Sequence, residues 1–278
     1  MEIAIVTDTS RALPSQLYKL YNVYPLGYYL EDSKGTIFAE RVSAQEVQTD
    51  KLLTIAEKDK NAQLYSPTVK DFVELYTFLE EDFDHIISFH SSLFTPTVFE
   101  NAILAKKVVS DITVDVLDTY SFESSSGLIL NQLAKKIQDA ESINEIRKES
   151  FSLHGRTHSQ LLTKNDQFNK IGLRRVTFLS NIKSAFVPWN LYLFKQSNWD
   201  LVKNSRSIKT LQSEMETRLI FLEKSKDLKF CYYSSSKRLN KEVKELLEKL
   251  DNLYVEETPQ TLVSYFLTSE YSMNISVL

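Results

Sequence analysis

Three short apolar runs in the first half of the chain constrain its fold more than any other feature: IAIVTDTS (Ile3 to Ser10), IISFHSS (Ile86 to Ser92) and TVDVLDTYS (Thr113 to Ser121). Each has strand length and breaks off into hydroxyl-bearing residues, and helical stretches lie between them. Runs of this β-rich kind are the pattern of parallel strands covered on both faces. In an open parallel sheet the carboxyl ends of neighbouring strands converge on one crevice, where the strand order reverses and ligands bind. Three hydroxyl-rich strand ends therefore predict one polar pocket.

The segments between the runs fit that frame. Ala12 to Val23 reads as a helix opening near Pro14, and YPLGYYLED with GTIFAERVS reads as a hairpin-sized pair around Ser33-Lys34-Gly35. Ser43 stands three residues before Glu46, the spacing of a capping box, and predicts a helix through Ile55. A turn at Ser66-Pro67-Thr68 leads into a helix over DFVELYTFLEE; further helices are expected from about Thr97 to Val109 and through ILNQLAKKIQ. Strand alternating with helix is an α/β class signal, here an N-terminal doubly wound, mainly parallel sheet. After a charged helix from Ile143 to Glu149 the pattern changes at SLHGRTHS, which places the expected division at 1–153 and 154–278. Beyond it VTFLSNIKSAFVPW, LYLFK, LKFCYYSS and NLYVEE, separated by two helices, predict a second α/β domain with a mixed sheet. One of those helices, LNKEVKELLEKLDNL, is amphipathic and reads as a surface helix packing one apolar stripe.

Composition narrows the function. The 278 residues, 42% hydrophobic, suffice for a core without disulfides or metal staples. A net charge of -4 and the lack of any basic tract disfavour nucleic acid and anionic membranes as partners. The five glycines, Gly27, Gly35, Gly127, Gly155 and Gly172, are too scattered for a Walker loop, a dinucleotide fingerprint or a GxSxG elbow, so no nucleophilic triad is nominated. The lone Cys231, within KFCYYS, reads as a buried thiol; His154 and His158 lack an intervening acid and a third ligand, so neither a metal nor another cofactor is expected. The opening has no basic region ahead of a long apolar stretch and no run reaches membrane-span length, which points to a cytoplasmic protein without stable membrane insertion.

With these elements in place the chain resembles the DegV family of two-domain lipid-binding proteins. IAIVTDTSRALP is similar to that family's first strand and turn, YPLGYYLED and RVSAQEV to its next segment, and YSPTVKDFVELY to its Thr-Ser-Gln-Pro-Ser stretch. IISFHSSLFTPTVFENA corresponds to the Ser-rich strand end, VDVLDTYSFESSSGLIL to the Asp-Ser strand end, and SNIKSAFVP to the Asn-Ile-Lys-Pro strand. The resemblance implies non-catalytic carriage of a long-chain fatty acid, its tail between helix and sheet and its carboxylate at the domain interface, presented to a fatty acid kinase. Burying about 14 methylenes at ~0.8 kcal/mol each is worth about 11 kcal/mol before ordering costs. The carboxylate then needs hydrogen-bond donors.

The residues the resemblance and the strand ends nominate for that head are Ser91, Ser92, Ser66, Thr9, Ser10, Arg174 and Phe266. Ser92 falls on the family's first loop serine, and Ser91 and Ser92 compete with a helix-capping role. Thr9 and Ser10 sit in a turn where they also suit local backbone. Leu64 takes the place of the family's carboxylate-binding threonine, with Ser66 two residues on; Arg174 is displaced by one from the family's arginine. The family's Gly-Thr-His and glycine-rich turn fall on Ser264-Tyr265-Phe266 and a glycine-free tail, SEYSMNISVL. These departures motivate an alternative: a divergent relative whose pocket takes another small anion, performs hydrolysis, or is occluded in a structural or regulatory role.

Overall fold

The computed structural model describes residues 2–11, 13–43, 46–59, 61–139, 142–164, 189–195, 198–225, 228–237, 239–250, 253–258, 260–268 and 272–278. The three apolar runs form β1 (Ile3–Asp8), β8 (His85–His90) and β9 (Thr113–Asp118) of a four-stranded sheet, joined by β2 (Val23–Leu26) in the order β2-β1-β8-β9 with every pair parallel. Between them lie α1 (Ser15–Leu20), α2 (Asp50–Lys58), α3 (Val69–Leu79) and α4 (Pro96–Lys106), followed by α5 (Ser124–Asp139) and α6 (Ile143–Arg156). Alternate residues of the strands enter different cores: Ala4, Val6 and Ile86 pack with α3 and α4, whereas Ile5, Ile87 and Phe89 pack with α5 and α6. This two-faced burial is why the runs are apolar throughout; each fully buried Ile or Phe is worth about 1.5–3 kcal/mol.

The structure corrects one local expectation. Ser43 ends a short strand, β5 (Arg41–Ser43), that pairs with β6 (Glu46–Gln48), and the helix begins only at Asp50 after Thr49. The Ser-x-x-Glu spacing satisfied the sequence rule, but the two β-branched valines pair across this hairpin, Val42 with Val47. Elsewhere local chemistry agrees with the elements. Thr68 caps α3 in a reciprocal box with Asp71, and β3 (Tyr29–Glu31) and β4 (Ile37–Ala39) form the foreseen hairpin, with β7 (Gln63–Tyr65) on the other edge of β3. At the turn Gly35 adopts φ +80, which only glycine takes without strain.

The second sheet is mixed, ordered β12-β11-β10-β15-β13-β14: β10 (His158–Lys164), β11 (Trp189–Lys195), β12 (Asn198–Ser205), β13 (Phe230–Ser235), β14 (Tyr254–Thr258) and β15 (Ser272–Val277). Only β13 and β14 pair in parallel among these. The segment read from sequence as a glycine-free tail is β15, a central strand bonded to β10 and β13. Its alternation explains its place: Met273, Ile275 and Val277 face a core shared with α7 (Ile208–Ser225) and α8 (Asn240–Leu247), while Ser272, Asn274 and Ser276 lie buried on the other face. A short helix, α9 (Leu262–Leu267), precedes it. α6 runs on through SLHGR to Arg156, and β10 begins two residues later. The strand expected over 176–188 lies outside the described residues.

The two sheets share one core. Leu161, Tyr192, Phe194, Trp199, Leu262 and Val263 pack into the same cluster as Val6, Phe72 and Phe94. α5 lies between the sheets, touching β13 and β15, and its amino terminus is tied down by Asn274, which accepts hydrogen bonds from both the backbone N–H and the hydroxyl of Ser124.

Candidate functional site

In the parallel sheet the order reverses between β1 and β8, so the crevice lies beyond Asp8 and His90. Both side chains are fully buried. His90 Nδ1 donates to Asp8 at 2.7 Å; its Nε2 accepts from Ser88 at 2.7 Å, whose oxygen accepts from the Tyr76 hydroxyl at 2.8 Å. Asp8 also accepts from the Tyr28 hydroxyl and the Ser10 N–H. Burial pushes the Asp8 carboxyl upward, but its hydrogen bond to His90, with the charge of Arg11 and the bond to Ser10 adding, holds it well below the carboxylate range. Burial holds His90 below its ordinary value. Asp8, His90 and Ser88 thus stand in the order of a nucleophilic triad. The Ser88 hydroxyl is shut off from solvent and engaged by Tyr76, so it presents no nucleophile to a ligand.

Arg11 follows in the turn after β1 and is fully buried. Its Nε donates to the Phe89 carbonyl at 3.1 Å and Nη1 to the Thr119 hydroxyl at 2.9 Å, while Nη2 is buried without a partner. An unspent guanidinium donor in a buried crevice is the kind of group that meets a ligand anion. The segment after β9 wraps around it. Asp118 accepts from the N–H groups of Ser92 and Tyr120, Arg11 and Glu123 form a backbone bridge, and the Ser121 hydroxyl is likewise buried and unpartnered. Tyr120 and Glu123 both have φ of +48, a left-handed conformation that costs a non-glycine residue about 1–3 kcal/mol. Buried Glu123 accepts from Ser234 at 2.7 Å. Burial pushes its carboxyl up to about 7, against the hydroxyls of Ser264 and Ser234 that lower it.

Against the second sheet lies an apolar cavity of about 410 Å³, within the usual 300–1,000 Å³ of small-molecule sites. Leu193 and Gln160 of the sheet and Thr217, Phe221 and Leu222 of α7 line it. So does Phe194, whose ring centroid is 6.1 Å from Phe94 of the Ser91–Ser92 loop and 5.5 Å from His154. The cavity and the strand-end loop therefore share an aromatic wall.

The model of the DegV family, described as uncharacterised, matches residues 2–175. The chain belongs to the DegV family. A DegV domain-containing protein of Staphylococcus aureus is 25% identical over 169 residues, 60% of this chain and 57% of that protein; one from Caldanaerobacter subterraneus is 27% identical over 148 residues, 52% and 50%. The chain thus matches about half the length of these curated relatives. Among solved structures, Bacillus subtilis DegV, described as a fatty acid binding protein, aligns with TM-score 0.82 at 20% identity over 100% of this chain and 99% of its own. A protein from Eubacterium ventriosum described as stearic acid-binding aligns with TM-score 0.83 at 18% identity, over 99% and 97%. At these identities the structures establish the shared fold, an N-terminal parallel α/β sheet followed by a second α/β part with a mixed sheet.

In this DegV chain the nominated residues that are described fall at strand ends and turns and in α9. Ser91 is buried and organises the loop, its hydroxyl accepting from Phe94 N–H and its carbonyl from Thr95. Ser92 is half-buried beside Asp118. Thr9 donates its hydroxyl to Glu40, a buried carboxylate that also accepts from Thr49 and from Tyr28 N–H. Ser10 serves Asp8 as above. Ser66 is half-buried in the turn after β7, and Leu64 pairs with Leu30 within that sheet. Phe266 is half-buried in α9, its ring 5.6 Å from Tyr265. Arg174 lies outside the described residues. Sequence reasoning missed Arg11 and Glu123. The signal for Arg11 was available: a charged residue directly after TDTS, in a turn the strand pattern already placed at the crevice. His158 opens β10 while His154 lies in α6, and no group of three metal-ligating side chains occurs among the described residues. Cys231 is fully buried, which pushes its thiol up to about 12. No described helix is long and apolar enough to cross a membrane.

Proposed function

We propose that this protein binds one long-chain fatty acid, with the acyl chain in the cavity between the second sheet and α7 and the carboxylate at the crevice beyond β1 and β8. The observation that carries the reading is that Phe194, which lines the cavity, packs against Phe94 of the strand-end loop, so one aromatic contact links the two features. A carboxylate there would use the free Nη2 of Arg11 and hydroxyls of the Ser91–Ser92 and Ser121 segments. The fatty-acid-binding descriptions of the Bacillus subtilis and Eubacterium ventriosum proteins support it, as does the fatty acid binding function ascribed to a Thermotoga maritima protein aligned with TM-score 0.77.

The same reading makes the protein a non-catalytic, cytoplasmic carrier that presents the carboxylate to a fatty acid kinase, its two parts meeting near residues 153 and 154. The sealed Ser88 supports carriage over hydrolysis. Leu64 and Phe266, set where the family has a threonine and a histidine, favour the second reading, a pocket with altered head-group preference. Mass spectrometry of material extracted under denaturing conditions tests both. A stoichiometric fatty acid supports carriage; no lipid even after incubation with palmitate or oleate sinks it. Turnover of an ester that Ser92→Ala abolishes would support the second reading.

A further inference from the structure

A second cleft lies on the opposite face of the second sheet, where α5 and α6 cross the ends of β13 and β15. Its volume is about 590 Å³, and its walls are half polar in character rather than apolar. Four cations line it, Lys135 and Lys136 of α5, Arg156 of α6 and Lys229 before β13, against two carboxylates, that of Glu149 and that of Leu278, the last residue of the sequence. Four positive charges and two negative leave +2 in a chain whose net charge is -4, so this cleft runs against the sign of the whole molecule.

The groups are not all spent on one another. Arg156 reaches Glu149 at 3.1 Å, which neutralises one pair. Lys135 stands 5.1 Å above the Phe230 ring, a contact that keeps its ammonium poised without an oxygen acceptor in that pair. Gln132, one turn earlier on α5, lines the cleft with its Nε2 buried and without a partner. Leu153 and the Phe230 ring supply an apolar wall. Lysine ammoniums with an amide donor suit a compact, highly charged anion, and the ring beside them suits an apolar appendage.

We propose that this cleft is a binding site for a small phosphate-bearing molecule with an aromatic or apolar portion. It is separate from the fatty-acid site. Gln132 is eight residues along α5 from Ser124 at the crevice, about 12 Å at 1.5 Å per residue. The acyl cavity lies on the α7 face of the sheet, whereas Phe230 turns toward α5.

The test is calorimetric titration of the full chain with phenyl phosphate, inorganic phosphate and benzyl alcohol. Phenyl phosphate is expected to bind saturably, phosphate more weakly, and the neutral alcohol not at all. Lys135→Gln with Lys136→Gln, both exposed and safe for folding, should weaken phenyl phosphate at least about tenfold, and Gln132→Leu should weaken it too. Raising salt from about 50 to about 200 mM should weaken binding severalfold. Leu193→Trp, which fills the acyl cavity, should leave it unchanged, so failure of the fatty-acid reading and failure of this one are distinguishable. No saturable heat up to about 10 mM, equal binding of benzyl alcohol, or indifference to the lysine pair would overturn the proposal.

Discussion

Replacing Glu123 by glutamine isolates a single buried charge. Glu123 is 2% exposed and its hydrogen-bond partner is a hydroxyl, Ser234 at 2.7 Å, rather than a cation. Burial therefore dominates and moves the carboxyl from 4.5 to about 7. Folded and unfolded chains both hold the proton below about pH 4.5; between there and pH 7 only the folded chain does. The stabilisation from that proton is thus fully present below 4.5 and lost as pH rises through 7. At about 1.4 kcal/mol per pH unit the loss is about 3 kcal/mol. Glutamine keeps the shape, the left-handed backbone and the acceptor for Ser234, and has no proton to lose. We expect E123Q to gain about 3 kcal/mol on the wild type between pH 5 and pH 8, measured by urea unfolding at each pH. His90, held neutral by burial, acts with the opposite sign: its contribution is present above about pH 6.5 and lost as pH falls. Because both proteins contain it, the difference curve removes it. A difference flat to within about 0.5 kcal/mol, or one of opposite slope, would refute the account of Glu123 as a carboxylate buried without a counter-charge.

Three further outcomes follow from the geometry. Asp8→Ala strips the acceptor from His90, Tyr28 and Ser10 and the nearby anion from Arg11, and should cost about 3–5 kcal/mol by chemical denaturation; since Asp8 is depressed, its contribution exists above about pH 4 and is lost in acid, so the variant's acid limb should be flatter. Gly27→Ala would set a Cβ 2.6 Å from the Glu40 carbonyl oxygen, a backbone atom that cannot rotate away, and should cost about 1–3 kcal/mol in the same assay. Leu193→Trp fills the cavity from its sheet wall and should reduce palmitate affinity at least about tenfold in a fluorescent fatty acid displacement assay while near-ultraviolet circular dichroism shows the fold intact.

The parallel sheet was legible because its strands are buried on both faces, and Ile3 to Asp8, Ile86 to His90 and Thr113 to Asp118 have no other way to satisfy so many apolar side chains. The Thr68 cap was legible for a similar reason, since a capping box is local. Ser43 misled because its spacing met a helix rule while the valines on either side found each other across a hairpin. β15 escaped notice because Ser272, Asn274 and Ser276 look like a solvated face; the partners of Asn274 and Ser276, Ser124 and Ser159 among them, lie more than a hundred residues away and become visible only in three dimensions. The crevice was located by strand ends, but the orphaned Nη2 of Arg11 is a statement about what surrounds a side chain, which one sequence does not carry.

The place of β15 has a consequence for biosynthesis. It is the joint between β10-β11-β12 and β13-β14, and it anchors the start of α5 from 150 residues away. A ribosome releases β10 and β13 well before residues 272–277, so each of these strands waits with one open edge until the joint arrives. The second sheet is therefore closed last, and a nascent chain stalled before Ser272 would expose those two unpaired edges to its neighbours on the polysome.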